Sequence, residues 1–107
     1  MSAVSKKFIQ DKIQKDDFRM TTHVTQRRLE RGISLKEIKK ILIEGELIEV
    51  QNDAKPYPKG LVLGFTKEGD PIHVLVSRGN IAPYLRIITV YEPDECFWDR
   101  TFKNRKK

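Results

Sequence analysis

The spacing of apolar residues in this 107-residue chain changes at Gly45, and this change restricts the possible folds more than any other feature. Before Gly45 the apolar residues recur every three or four positions, as they do on amphipathic helices. After Gly45 they fall in short runs rich in Val, Ile, Leu and aromatic residues, separated by Gly and Pro, which is typical of strands. Helices followed by strands predict an α+β domain with the helices packed on one face of a sheet.

Three segments before Gly45 are predicted to be helices. The first lies within residues 5–18, and residues 18–20 then form a short extended link. The second begins at a threonine N-cap, Thr21 or Thr22, and runs to about residue 31, where Gly32 is placed to end it. The third begins with a capping box of Ser34 and Glu37, in which each side chain satisfies a free N–H group of the first turn.

Four strands are predicted after Gly45, over residues 47–50, 61–65, 72–77 and 84–91. The segments between them are short and rich in Gly, Pro, Asn and Asp, which favours antiparallel neighbours joined by turns. We therefore expect N-terminal helices packed on a roughly four-stranded antiparallel sheet. Residues 1–107 are expected to form one domain, because the chain is too short for two ordinary cores. A basic C-terminal tail is predicted from about residue 99 to residue 107.

The composition favours an anionic partner. Lys and Arg number 21 against 15 Asp and Glu, which gives a net charge of +6. Nucleic acid, an acidic protein or a membrane surface would suit that charge. The N-terminus lacks the apolar core of a signal peptide, and no apolar run approaches the ~20 residues that span a bilayer. With only one cysteine, no internal disulfide is possible, so we expect a cytoplasmic protein without a membrane partner.

One edge of the second predicted helix carries a row of residues that can be positively charged. His23, Arg27 and Arg31 are spaced by four, so they share an edge about 80° wide and roughly 12 Å long. The positive charges in such a row repel one another unless an anion lies nearby. Either it is a solvated helix face, with Glu30 neutralising part of the charge, or it is a site for a phosphate group. Val24 and Leu29 are predicted to face the core.

Two strand residues could take part in the same chemistry. His73 alternates with the apolar residues of its strand and is predicted to lie on the face opposite the core, and Tyr91 ends the last strand. Taken alone, a histidine in a strand or a tyrosine at a strand end is more often structural than catalytic. Together with the helical row, however, they form the side-chain set that metal-independent RNA cleavage uses. Histidine transfers protons near neutral pH, and the planar guanidinium of arginine binds phosphate. Neither the spacing of metal ligands nor a glycine-rich nucleotide loop is present, so no cofactor is expected.

The chain resembles the domain-of-unknown-function family numbered 4258. The resemblance rests on HVTQRRLERGIS, followed in order by KPYP, LVLG, PIHV and TVYEP, at residues 23–34, 55–58, 61–64, 71–74 and 89–93. It extends from about the first helix to Trp98. Arg28 departs from the pattern, because such sequences usually have an apolar residue there; its aliphatic stem could pass Leu29 towards the core, or it could add a cation to a surface that binds RNA.

The resemblance implies a fold and a function. The family is grouped with the barnase, EndoU, colicin and RelE-like ribonucleases, and many members resemble toxins encoded beside a small antitoxin. It implies a RelE-like fold and site roles for His23, Arg27, Arg31, His73 and Tyr91. With that support we favour the phosphate site for the helical row over the solvated face.

The sequence therefore predicts a metal-independent endoribonuclease, the toxin of a toxin–antitoxin pair. The 2′-hydroxyl of RNA, for example ribosome-associated mRNA, would attack the adjacent phosphate, with His23 and His73 as acid and base and Tyr91 orienting or stacking on a base. Further cations would bind the flanking phosphates: Lys55, Lys59, Arg78, Arg86 and the basic residues of the tail from 100 to 107. The alternative is a non-catalytic module that binds RNA or a protein through the same basic face. A purely structural or regulatory subunit is a third interpretation.

Overall fold

A computed structural model describes residues 4–53, 57–79 and 84–106 of the chain. It confirms the prediction of an α+β domain, with three helices and one mixed, open sheet of five strands. In chain order the elements are α1 (Lys6–Gln14), β1 (Phe18–Met20), α2 (Thr22–Glu30), α3 (Leu35–Glu44), β2 (Glu46–Gln51), β3 (Lys59–Phe65), β4 (Pro71–Arg78) and β5 (Leu85–Tyr91).

The sheet differs from the predicted one by one strand. Its order is β1-β5-β4-β3-β2, and β2 to β5 form an antiparallel meander. Residues 18–20, predicted to be a link, instead form β1, which pairs with β5 in parallel. The prediction of about four antiparallel strands is therefore corrected. The physical reason is that a three-residue strand is too short to show a period, and its hydrogen-bonding partner lies 67 residues further along the chain, as in the pair Phe18 and Leu85.

The helices begin with the predicted caps. The side chain of Thr21 accepts a hydrogen bond from the Val24 N–H, and both hydrogen bonds of the capping box are present between Ser34 and Glu37. Gly32 has a φ of 67°, the left-handed conformation that commonly follows the end of a helix. Local capping therefore fixes where α2 and α3 start and where the chain turns between them.

The helices pack on one face of the sheet. The core between them contains residues from all three helices and from β3, β4 and β5, including Ile9, Val24, Ile38, Val62 and Val74. We call the opposite side the outer face. Because side chains alternate along a strand, the neighbours of these core residues, such as His73 and Leu75, lie on the outer face.

The basic tail folds back over part of the outer face. We call residues 98–105 the C-terminal segment. Its Trp98 is 4% exposed, and it is tied to β2 by ion pairs from Lys103 to Glu46 and from Arg105 to Glu49, at 3.0 and 2.9 Å. Trp98 and Arg105 also form an isolated β-bridge, so the segment closes on itself. The outer face is therefore covered in part by residues that follow the sheet in sequence.

One packing contact gives a direct test of the interface between α3 and the sheet. A Cβ at Gly64 of β3 would lie 2.5 Å from Cγ2 of the buried Ile41. We expect Gly64→Ala to lower the free energy of unfolding by about 1–3 kcal/mol, because the added methyl group overpacks the core. This cost is larger than the ~0.4–1 kcal/mol by which alanine stabilises a protein through restricting its unfolded chain. Urea denaturation measures this, with Lys7→Ala on the exposed surface of α1 as the control. An unchanged urea midpoint in Gly64→Ala would show that the contact is looser than described.

Candidate nucleic-acid interface

The start of α2 is attached to an irregularity in β5. In the register between β4 and β5, Leu75 pairs with Thr89 and Val76 with Ile87, so Ile88 is the extra residue of a β-bulge. The hydroxyl of Thr21, the N-cap of α2, donates to the Ile88 carbonyl at 2.9 Å. The helix is therefore anchored where the strand is irregular.

The bulge also changes which side chains of β5 reach the outer face. Before it, Leu85 and Ile87 belong to the core, and after it Val90 does. The alternation has shifted by one residue, so Thr89 and Tyr91 lie on the outer face beside Leu75 and His73. If the alternation continued regularly through Ile88, both polar side chains would face the helices.

The row on α2 lies along this end of β5. His23 is exposed, and its Nε2 is 2.9 Å from the hydroxyl oxygen of Thr89. At the other end of the row, Arg31 forms an ion pair with Glu92 at 3.6 Å. Side chains at positions 89 and 92 thus hold the two ends of the row against the strand.

Arg27, in the middle of the row, has the weakest attachment. Its ion pair with Glu30 is the one predicted for a solvated face, but at 4.0 Å it is at the limit of such a contact. The Arg27 side chain is 44% exposed, whereas its Nε is buried and has no hydrogen-bond partner among the residues that the structure describes. Because Nε is buried, an external anion would have to bind the two terminal nitrogens of this guanidinium.

The prediction for the buried side of α2 was half wrong. Val24 is fully buried, whereas Leu29 is 65% exposed. Five residues at 100° each place Leu29 about 140° from Val24 around the helix, so it cannot share the same side. Arg28 is only about 40° from Val24, and it reaches past the end of the helix to donate to the Ile33 carbonyl at 3.3 Å. It is thus the aliphatic stem of Arg28 that takes the place predicted for Leu29.

His73 lies on the outer face, as predicted, but it is fully buried. Its Nε2 is 2.8 Å from the Phe102 carbonyl oxygen, which can only accept, so Nε2 carries the proton. Its Nδ1 then accepts from the Tyr91 hydroxyl at 3.2 Å. The Trp98 ring packs edge-on against the imidazole, with the ring centroids 4.4 Å apart.

These contacts give His73 a structural role. Burial lowers its pKa, although the hydrogen bond to the Phe102 carbonyl acts in the opposite direction. Both nitrogens are occupied and no surface is exposed, so RNA cannot reach the ring while the C-terminal segment is in place. The catalytic assignment of His73 in the sequence prediction does not fit this arrangement, because Trp98 and Phe102 of the C-terminal segment cover the ring.

The other predicted residues are distributed over both sides of the sheet. Tyr91 lies on the outer face and donates to His73, and burial raises the pKa of its hydroxyl. Lys59 lies on the same face, and so does Arg86, which pairs in register with Ser77 and lies over the Tyr57 ring. Arg78 lies over the Phe8 ring of α1 instead, away from the outer face. Lys55 lies outside the described residues.

Two residues of the outer face were not predicted individually as site residues. Thr89 contacts His23, and Arg105, predicted only as part of a basic tail that binds flanking phosphates, forms the ion pair with Glu49. Thr89 became relevant only through the bulge, which shows no signature in the sequence. The presence of Trp98 and Phe102 within a basic tail was a usable signal, because large apolar side chains indicate a segment that packs.

This arrangement can bind a phosphate and transfer a proton. It combines an exposed imidazole with two partly exposed guanidiniums on one edge, next to a sheet face that carries further cations, including Lys59 and Arg86. No group of three or more His, Cys, Asp or Glu side chains that could hold a metal ion occurs within residues 4–53, 57–79 and 84–106. Over the same ranges, none of the helices is long and apolar enough to cross a membrane.

Comparison with known proteins assigns the chain to a sequence family. A family model described as "Domain of unknown function (DUF4258)" matches residues 20–92. The match begins at Met20, the last residue of β1, includes α2, α3 and the whole meander, and ends before the C-terminal segment. Searches of curated proteins and of solved structures found no match.

Proposed function

This chain belongs to the DUF4258 family, and on that premise we propose that it is a metal-independent endoribonuclease. The observation that carries the proposal is the row on α2, in which the exposed His23 and the two arginines lie along the end of β5. An imidazole can remove the proton of a ribose 2′-hydroxyl, and guanidiniums stabilise the charge that develops on the phosphate.

In the proposed reaction, His23 acts as the base. With its Nε2–H donating to Thr89, the unprotonated Nδ1 accepts the proton of the 2′-hydroxyl. The 2′-oxygen forms a bond to phosphorus, the bond from phosphorus to the 5′-oxygen breaks, and water protonates the leaving oxygen. Arg27 and Arg31 bind the non-bridging oxygens. The products are a 2′,3′-cyclic phosphate and a free 5′-hydroxyl.

The resemblance also supports the fold group and the partners that we propose. A sheet with helices on one face and cations on the other suits the RelE-like group of ribonucleases. A toxin of this group is neutralised by a small antitoxin protein, and a net charge of +6 suits an acidic antitoxin as well as RNA. In this proposal Tyr91 orients or stacks on a base, because it follows Thr89 by two residues, about 7 Å along the strand.

Binding without cleavage tests the phosphate site. We expect Arg27→Ala and Arg31→Ala each to weaken the binding of a 2′-fluoro RNA, which lacks the nucleophile, and to reduce the slope of log affinity against log salt by about 1. Glu92→Gln should strengthen binding, because it removes an anion and frees Arg31. Filter binding between 50 and 200 mM salt measures both effects.

Lys7→Ala on α1 removes the same charge from an exposed position of the helical face and is the matched control. If Arg27→Ala and Arg31→Ala bind with the affinity and salt slope of Lys7→Ala, the row is an ordinary solvated helix edge.

A second candidate function is a module that binds RNA without cleaving it. The burial of His73 favours it, since only one of the two histidines is then exposed. RNA that is bound and stays intact in EDTA would identify this function.

A further inference from the structure

A cleft of about 200 Å³ opens on the outer face between strands β2 to β5 and the C-terminal segment. Its floor is made by Leu61 and Leu75, which pair directly in register between β3 and β4. Tyr91 and Arg105 line it from β5 and from the C-terminal segment, and the polar side chain of Lys59 also borders it. The cleft therefore has an apolar floor, an aromatic ring, a guanidinium and an ammonium group.

Arg105 is held in one orientation. Its Nε and one terminal nitrogen donate to the two carboxylate oxygens of Glu49, at 2.9 and 3.2 Å. Its guanidinium lies 4.7 Å from the centroid of the Trp98 ring, and that ring is buried against His73. A bidentate pair combined with stacking fixes the guanidinium plane, so this lining of the cleft is formed before any ligand arrives.

We propose that this cleft binds one nucleobase of single-stranded RNA and that the C-terminal segment supplies part of its recognition surface. The proposal rests on the ribonuclease function proposed above. Aromatic rings and arginine planes are the groups on which unpaired bases stack. The aliphatic floor suits the apolar face of a base, and Lys59 can pair with the phosphate that accompanies it.

The position of the cleft relates it to the phosphate site. Tyr91 follows Thr89 by two residues on the same face, and Thr89 is the contact of His23. The base in the cleft is thus next to the phosphate on the α2 row. Because Arg105 lies beyond residue 92, where the family match ends, this base contact belongs to the chain's own C-terminal segment.

Abasic substitution tests the proposal. The probe is a series of 2′-fluoro RNA hexamers, each with one abasic position, compared with the intact hexamer by fluorescence anisotropy. We expect one position at which the abasic change weakens binding to the wild-type protein about tenfold, the effect of losing one stacked base. We expect Arg105→Lys, which keeps the charge but loses the planar fork, to reduce that ratio to about threefold or less.

Lys103→Ala is the matched control. It breaks the other ion pair between the C-terminal segment and β2, and Lys103 does not line the cleft. It should lower the affinity for intact and abasic RNA equally, leaving the tenfold ratio unchanged. Arg105 is exposed, and thermal melting will show whether Arg105→Lys folds as the wild type does.

The outcomes separate this proposal from the function on which it rests. If every abasic hexamer binds as tightly as the intact one, or if Arg105→Lys keeps the full ratio, the cleft does not bind a base, although the phosphate site stands. If the wild type binds no hexamer at all, both proposals are wrong.

Discussion

His23→Ala is expected to lower the rate of metal-free RNA cleavage by about 10²–10⁴-fold, the usual effect of removing a general base. The chain has two histidines, and the other one is buried with both nitrogens occupied. No other imidazole can take over the proton transfer. The measurement is the initial rate of cleavage of a labelled RNA in EDTA, with wild type and variant purified in the same way.

Two controls make that result specific to the chemistry. Because His23 is exposed, His23→Ala should keep the melting temperature and bind 2′-fluoro RNA within about threefold of the wild type. Thr89→Val, which removes the hydroxyl that orients the ring, should give an intermediate loss of rate, about tenfold. Cleavage by His23→Ala within a factor of two of the wild-type rate would contradict the assignment.

The second large effect concerns stability. His73→Ala is expected to lower the free energy of unfolding by about 2–4 kcal/mol, because it leaves a cavity and removes the partners of the Tyr91 hydroxyl and the Phe102 carbonyl. It also removes the ring against which Trp98 packs, so the C-terminal segment should become easier to detach. Urea denaturation gives the stability, and the emission of Trp98, the only tryptophan in the chain, reports on the segment.

The same residue makes stability depend on pH. The pKa of His73 is lower in the folded protein than its ordinary value of 6.5, so the unfolded chain binds more protons as the pH falls below about 6.5. The stability that neutral His73 contributes is fully present above about pH 6.5. It is lost progressively as the pH falls from there towards the pKa that His73 has in the folded protein. Between pH 7.5 and 5, stability should therefore fall more steeply in the wild type than in His73→Ala.

A structural role and a catalytic role for His73 predict different results. If His73→Ala kept the wild-type stability and pH dependence but lost cleavage, His73 would be a catalytic residue and the C-terminal segment would have to open during the reaction.

The helices could be predicted from the sequence because their signals are local. Thr21, Ser34 and Glu37 cap helices within one turn of themselves, and Gly32 takes the left-handed conformation that its position predicts. The row of His23, Arg27 and Arg31 follows from helical geometry alone. Leu29 was misplaced by an error in that same geometry.

The parts that the sequence did not reveal depend on distant residues. β1 is recognisable only through its pairing with β5, and the bulge at Ile88 only through the register with β4. The face of His73 followed from strand alternation, but its burial depends on Trp98 and Phe102, which lie 25 and 29 residues further along the chain. Contacts between residues so far apart in sequence produce no periodic pattern. The residues around His73 therefore cannot predict that Trp98 and Phe102 cover it.

The most direct test of the central claim is the chemistry of the product ends. Purified wild-type protein is incubated with a structured RNA in EDTA beside His23→Ala, and the fragments are analysed by mass spectrometry. Cleavage by His23 predicts 2′,3′-cyclic phosphate and 5′-hydroxyl ends with the wild type and intact RNA with the variant. RNA left intact by the wild type, or fragments that carry 5′-phosphates, would contradict the proposed mechanism.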